Sequence, residues 1–135
     1  MQKYKVDWLA FSVSFEDEEQ TLDPQLLKML GYDLADFDEI PGRFFYNSGA
    51  TYRNYVNVFW NDPEKPWHKN SSRTMTVVFT GQGSTELAEK WDTNWVSIFR
   101  TLKEYGGVNF TRIDLALDDY DETVRFSDIE KKLNK

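Results

Sequence analysis

The chain has 135 residues, no cysteine and a formal charge of -7, from 23 acidic and 16 basic residues. That length suits one domain with one core, and the missing cysteine removes disulfides and zinc–thiolate sites. The acidic balance argues against a duplex-DNA clamp or an anionic membrane surface, because phosphates are met by Lys and Arg. No apolar run approaches a membrane span, and Met-Gln-Lys-Tyr-Lys at the start lacks the apolar core expected of a signal peptide. With 16% aromatic residues, 5 of them Trp, the chain is expected to fold and to work in the reducing cytoplasm.

The acid is uneven. Residues 1–67 carry 12 acids against 6 bases, and residues 68–135 carry 11 against 10. Much of the excess sits in Glu16–Glu19 and Asp33–Glu39, which read as solvated loops.

Residues 3–15 alternate, with Leu9, Phe11, Val13 and Phe15 on one face, and predict a long strand. Asp23-Pro24 opens a short helix and Gly31 closes it. Residues 32–41 read as irregular, with room for one helical turn. Residues 43–47 and 51–60 read as strands joined at Asn47-Ser48-Gly49-Ala50. Residues 61–72 carry Pro63 and Pro66 and form a loop. Residues 74–80 are a β-branched strand ending at Gly81-Gln82-Gly83.

From Ser84 a single long helix is predicted, with Leu87, Trp91, Trp95, Ile98, Leu102 and Tyr105 in one apolar stripe that stops at Gly106-Gly107. Residues 108–117 form the last strand, and Ser127-Asp128-Ile129-Glu130 matches the capping box of a final helix. The order β-α-β-β-β-α-β-α predicts an α+β fold, an antiparallel or mixed sheet with helices on one face.

The last strand carries the chemistry. Ile113, Leu115 and Leu117 alternate with Arg112, Asp114, Ala116 and Asp118, so one face is apolar and the other charged. The strand reads as central, with its charged side open. Carboxylates held there can bind a hard cation such as Mg²⁺ or Mn²⁺. The same residues are also explained by a structural Arg112–Asp114 ion pair, with Asp118-Asp119 opening a turn.

The stretch Phe110-Thr111-Arg112-Ile113-Asp114-Leu115-Ala116-Leu117-Asp118-Asp119 resembles the "tRiDlAlDd" signature of Rep_trans-type replication initiation factors of rolling-circle plasmids, phages and mobile elements. Asp7-Trp8-Leu9-Ala10-Phe11-Ser12 is similar to that family's opening strand. Gly81-Gln82-Gly83 and the helix after it resemble its glycine turn. The resemblance spans most of the chain and is sharp over about ten residues. It implies an HUH-nuclease-like, ferredoxin-like variant in which a metal polarises a scissile phosphate and a tyrosine attacks it. Asp114 and Asp118 then match the metal-binding acids, and Arg112 matches the family's arginine.

It further implies origin DNA, partly single-stranded, as partner, with a second copy or a helicase joining the full-length protein. The family's tyrosine lies beyond the acid-bearing strand, so the chain is expected to be an N-terminal domain that does not nick DNA alone. Tyr120 follows the acids and reads as a turn residue. The single histidine, His68, excludes a two-histidine metal site.

The expected hairpin Arg43-Phe44-Phe45-Tyr46 … Tyr52-Arg53-Asn54-Tyr55 interleaves arginine with aromatics, as single-strand binders do; Arg43, Tyr52, Arg53 and Tyr55 are its candidate contacts, and weak, salt-sensitive DNA binding is expected. Packing of the same rings into the core is the competing explanation. A non-catalytic DNA- or protein-binding module is the alternative function, with Trp60 and Trp67 as contact residues. A small hydrolase using Asp114 lacks a paired base, and Gly81-Gln82-Gly83 lacks the Lys-Ser/Thr of a phosphate loop.

Overall fold

The computed structural model describes residues 4–17, 20–66 and 73–117. Asp118, Tyr120, Trp67, His68 and the helix expected from Ser127 lie outside the described residues. The elements in chain order are β1 (Tyr4–Ser14), α1 (Pro24–Leu30), a 3-10 turn (Leu34–Asp36), β2 (Asp38–Ile40), β3 (Ser48–Tyr52), β4 (Val56–Trp60), β5 (Thr74–Phe79), α2 (Gly81–Lys90), α3 (Trp95–Tyr105) and β6 (Val108–Leu117).

The strands form one sheet in the order β2-β3-β4-β5-β1-β6, and every neighbouring pair is antiparallel. The helices cover one face of it. Leu9, Phe11 and Val13 of β1, Val56 and Val58 of β4, and Met75, Val77 and Phe79 of β5 meet Leu26, Leu27, Leu30, Leu87, Ile98, Phe99 and Leu102 in one core. Each such buried side chain contributes about 1.5–3 kcal/mol. The fold is therefore α+β with helices on one face, as the alternation and the helical stripe predict.

Several details differ from the sequence reading. The long helix is two helices. Asp92 and Thr93 take positive φ values of 52° and 57°, which end α2, and Asn94 restarts the chain by accepting from the Ser97 amide at 3.0 Å. The stripe survives the break because both helices pack on the same core. Helix α2 also begins earlier than Ser84. Thr80 is its N-cap, and both glycines lie in its first turn. A Cβ on Gly83 would stand 1.8 Å from the Tyr55 carbonyl oxygen, so glycine lets α2 press against the β3–β4 turn.

That turn is itself displaced from the expected place. The hairpin closes at Arg53-Asn54, both left-handed, with the Tyr55 amide donating to the Tyr52 carbonyl at 2.8 Å. Ser48-Gly49-Ala50 is buried strand instead. Gly49 is needed there because a Cβ would meet the Phe59 ring and the Pro41 carbonyl at 2.9 Å. Residues 43–47 are a turn and bend, and a short β2 pairs with β3 in the region expected to be irregular.

The strand expected at the centre, β6, is the outer strand of the described sheet and pairs with β1. The α2–α3 connection carries the chain across β1 and returns it beyond that strand. Ile113 and Leu115 are accordingly only half-buried.

Candidate nucleic-acid interface

The face of the sheet opposite the helices holds a small cluster: Ala10, Tyr46, Phe59 and Val78 are buried, with Trp8 and Ile40 packed against them. The Tyr46 hydroxyl spans β5, sharing a hydrogen bond with Thr74 Oγ1 and accepting from Thr76 Oγ1 at 3.2 Å.

Arg112 and Asp114 stand at one side of this face, opposite Ala10 and Trp8 of β1. Two register shifts place them. Thr111 is an extra residue on β6 between the Phe11–Phe110 and Ala10–Arg112 pairs, and Asp7 is an extra residue on β1 between Val6 and Trp8. Strict alternation would put Phe110 and Arg112 on one face. The shift at Thr111 lets Phe110 meet Phe99 at 5.4 Å in the core while Arg112 points the other way.

Arg112 Nη2 donates to Asp114 Oδ2 at 2.6 Å, and Nε donates to both carboxylate oxygens at 3.1 and 3.2 Å. The guanidinium also lies 4.7 Å from the centre of the Trp8 ring. These hydrogen bonds, with the arginine charge, hold the Asp114 carboxyl below the usual carboxylate range and raise Arg112 further. Both groups are half-exposed, at 55% and 44% of their side-chain surface.

A divalent cation needs several oxygen donors in one place. No group of three Asp, Glu or His side chains occurs among the described residues, and both Asp114 oxygens already accept from Arg112. Asp114 alone does not make a metal site, and the second expected acid, Asp118, is outside the described residues.

The four residues expected to face DNA do not share one surface. Tyr52 and Tyr55 pack half-buried against the core on the helix side, where Tyr52 meets Tyr32 at 5.7 Å. Arg53, in the hairpin turn, sits 5.4 Å from the Tyr52 ring. Arg43 is exposed in the β2–β3 connection.

That connection also holds the first two rings of the aromatic stretch expected to form a DNA-binding hairpin. Phe44 and Phe45 are 58% and 67% exposed, and both hold positive φ, at 57° and 67°. The Tyr46 amide closes the turn on the Arg43 carbonyl at 3.0 Å. Two left-handed central residues in a four-residue turn call for Asn-Gly. A left-handed non-glycine residue costs about 1–2 kcal/mol. Phe44 also stands edge-on to Phe59 of the open face at 5.4 Å. Two consecutive large apolar residues in a turn are the sequence signal, hidden by their resemblance to a strand.

Tyrosine chemistry is constrained as well. Tyr32 is buried, and its hydroxyl is pushed up by burial and by the neighbouring Glu86 carboxylate. The Tyr105 hydroxyl donates to Asp23 at 2.5 Å. Burial first, then that bond and the Asp23 charge, push Tyr105 up to about 12. Both shifts oppose formation of a phenolate nucleophile.

An antiparallel sheet with helices on one face and a partly polar second face that no helix among the described residues covers is the class of fold present. No protein-family model matches the chain, and no curated protein matches it. Among solved structures it is similar to the rolling circle replication initiator protein from Geobacillus stearothermophilus, with a TM-score of 0.64 and 24% identity over 99% of this chain and 51% of that one. The chain thus spans about half the length of the solved protein it matches. At this identity the likeness shows the fold.

Proposed function

We propose that this chain serves in the initiation of rolling-circle DNA replication, as a domain that holds origin DNA on the open face of its sheet. The observation that carries the reading is the fold likeness over 99% of the chain, and the Arg112–Asp114 pair on that open face agrees with it. Origin DNA of a plasmid, phage or mobile element is the partner in this reading. A second copy or a helicase joins at the level of the whole initiator, and the work is done in the cytoplasm. Strand nicking belongs to the assembled protein. Its chemistry needs a tyrosine whose hydroxyl is free and near Asp114, and Tyr32, Tyr46 and Tyr105 have hydroxyls buried or bonded elsewhere. That same observation favours the second reading, a non-catalytic DNA- or protein-binding module of this fold.

The direct test is fluorescence anisotropy of a labelled oligothymidylate and of a duplex of equal length. The single strand is expected to bind weakly, and log K to fall with log salt by about 0.7 for each phosphate held. Tight duplex binding at physiological salt, or none to the single strand, sinks the reading.

A cation, Mg²⁺ or Mn²⁺, enters only if Asp118 and further oxygen donors join Asp114. Mn²⁺ added to a labelled sample is then expected to broaden NMR signals around Asp114 and Asp118. Unbroadened signals there remove the cation.

A further inference from the structure

We infer that the Arg43-Phe44-Phe45-Tyr46 turn is a preformed stacking site for unpaired bases of single-stranded DNA; this rests on the function proposed above and assigns the residues that grip the strand. The turn is held in place rather than loose. Tyr46 anchors its end through Thr74 and Thr76. Next to it, the Asn47 side chain accepts from the Asp62 amide at 2.6 Å and donates to the Asp62 carbonyl at 3.0 Å. At its start, a Cβ on Gly42 would stand 2.1 Å from the Tyr46 carbonyl oxygen, so the backbone there is closely packed. The fixed backbone keeps two rings in water in a conformation that neither ring prefers. A fold that holds such strain at exposed positions has spent stability on display, and display on a rigid base lowers the ordering cost of binding.

Charge selects the occupant. The chain carries -7 overall, yet the turn itself has no acid and begins at the exposed Arg43, with Asp62 held behind it by Asn47. An aromatic pair next to an exposed arginine suits a polyanion with planar rings. Stacking tolerates any base sequence, and the adjacent guanidinium suits the phosphate. The turn also joins the open face, because Phe44 touches Phe59 there.

The test compares wild type, Phe44→Ala, Phe45→Ala, the double variant and Phe44→Tyr, by anisotropy with oligothymidylate and with an oligonucleotide of the same length carrying abasic sites at its centre. Near-UV circular dichroism checks that each variant keeps its fold, which is expected because both side chains are exposed. Each alanine is expected to weaken binding of the intact strand about tenfold. The double variant should no longer distinguish the intact strand from the abasic one, and Phe44→Tyr should bind like wild type. Wild-type binding with unchanged affinity in the alanine variants overturns the stacking site and leaves the DNA reading standing. Absence of single-strand binding by wild type overturns both. If the double variant loses self-association in sedimentation while its DNA affinity is unchanged, the rings serve a second copy of the chain and the stacking site is wrong.

Discussion

Arg112 is engaged from two sides, by the face of Trp8 and by both oxygens of Asp114. Its pairing with Asp114 was legible in the sequence, since residues two apart on a strand share a face. Trp8 as a partner was not, because nothing local in the sequence says which strand lies beside β6. The pair has a titration consequence. Asp114 is held below the ordinary carboxylate range, so its contribution to stability is present above the unfolded-state pKa and is lost as pH falls through the lower folded value. A carbon-detected NMR titration should find the Asp114 carboxyl below its unperturbed value, and Arg112→Ala should return it to the ordinary range. An unshifted Asp114 in wild type means that the ion pair does not persist in solution. Phe44 and Phe45 illustrate the opposite case. Their bulk and apolarity favour a strand, and the left-handed turn they occupy is set by the closely packed backbone on either side of them.

Among the elements, α1 was read correctly because both of its ends carry clear signals, whereas Ser48-Gly49-Ala50 and Gly81-Gln82-Gly83 lie in a strand and a helix rather than in the turns they suggested. Helix α1 has Asp23 accepting from the Gln25 amide at 3.1 Å, Pro24 in its first turn and Gly31 left-handed at its end. The division between α2 and α3 escaped because hydrophobic periodicity reports which side faces the core, and both helices present the same side. Asp92-Thr93-Asn94 carried the hint, as Asp and Asn favour turns and caps over helix interiors.

The two ends of the helical layer are tied through Tyr105 of α3 and Asp23 at the start of α1. Tyr105→Phe is expected to cost about 1 kcal/mol, less than the roughly 1.5–3 kcal/mol typical of a bond to a charged group because the residue is 38% exposed. The sign with pH is fixed by the raised pKa. The bond contributes fully below the unfolded tyrosine value near 10 and is lost as pH climbs through about 12. Denaturant midpoints measured from pH 8 to 12 should therefore converge for wild type and Tyr105→Phe at the alkaline end. A constant gap between them would exclude the coupling.

For the molecule as a whole, the fold class followed from alternation and one amphipathic stripe, while the strand order did not. Placing β6 outside β1 depends on how the α2–α3 connection crosses the sheet, and a single sequence records no long-range pairing. The placement of charge was partly legible. Glu16 and Asp17 lie in a bend after β1, but the acids of residues 33–39 are exposed without forming a loop, since Asp36 lies in the 3-10 turn and Asp38 and Glu39 in β2; the acid-free stretch of residues 40–61 covers β3, β4 and the exposed aromatic turn.

The two register shifts between β1 and β6 lie on opposite strands, one extra residue on each. They behave like a pair of compensating frameshifts. The ladder is in one phase from Val13–Val108 to Phe11–Phe110, moves out of phase across Ala10–Arg112, Leu9–Ile113 and Trp8–Asp114, and returns to its first phase at Val6–Leu115. Arg112, Asp114 and Trp8 all lie inside that short out-of-phase window. Removing Thr111 alone would carry a slip from Asp7 to the end of the strand, whereas removing Thr111 and Asp7 together would leave every cross-strand pair, Ala10–Arg112 and Trp8–Asp114 included, with its present partner. The two extra residues thus decide which residues share a face along each strand while leaving the charged pair opposite Ala10 and Trp8, so a matched double deletion is expected to keep the pair and its place on the sheet.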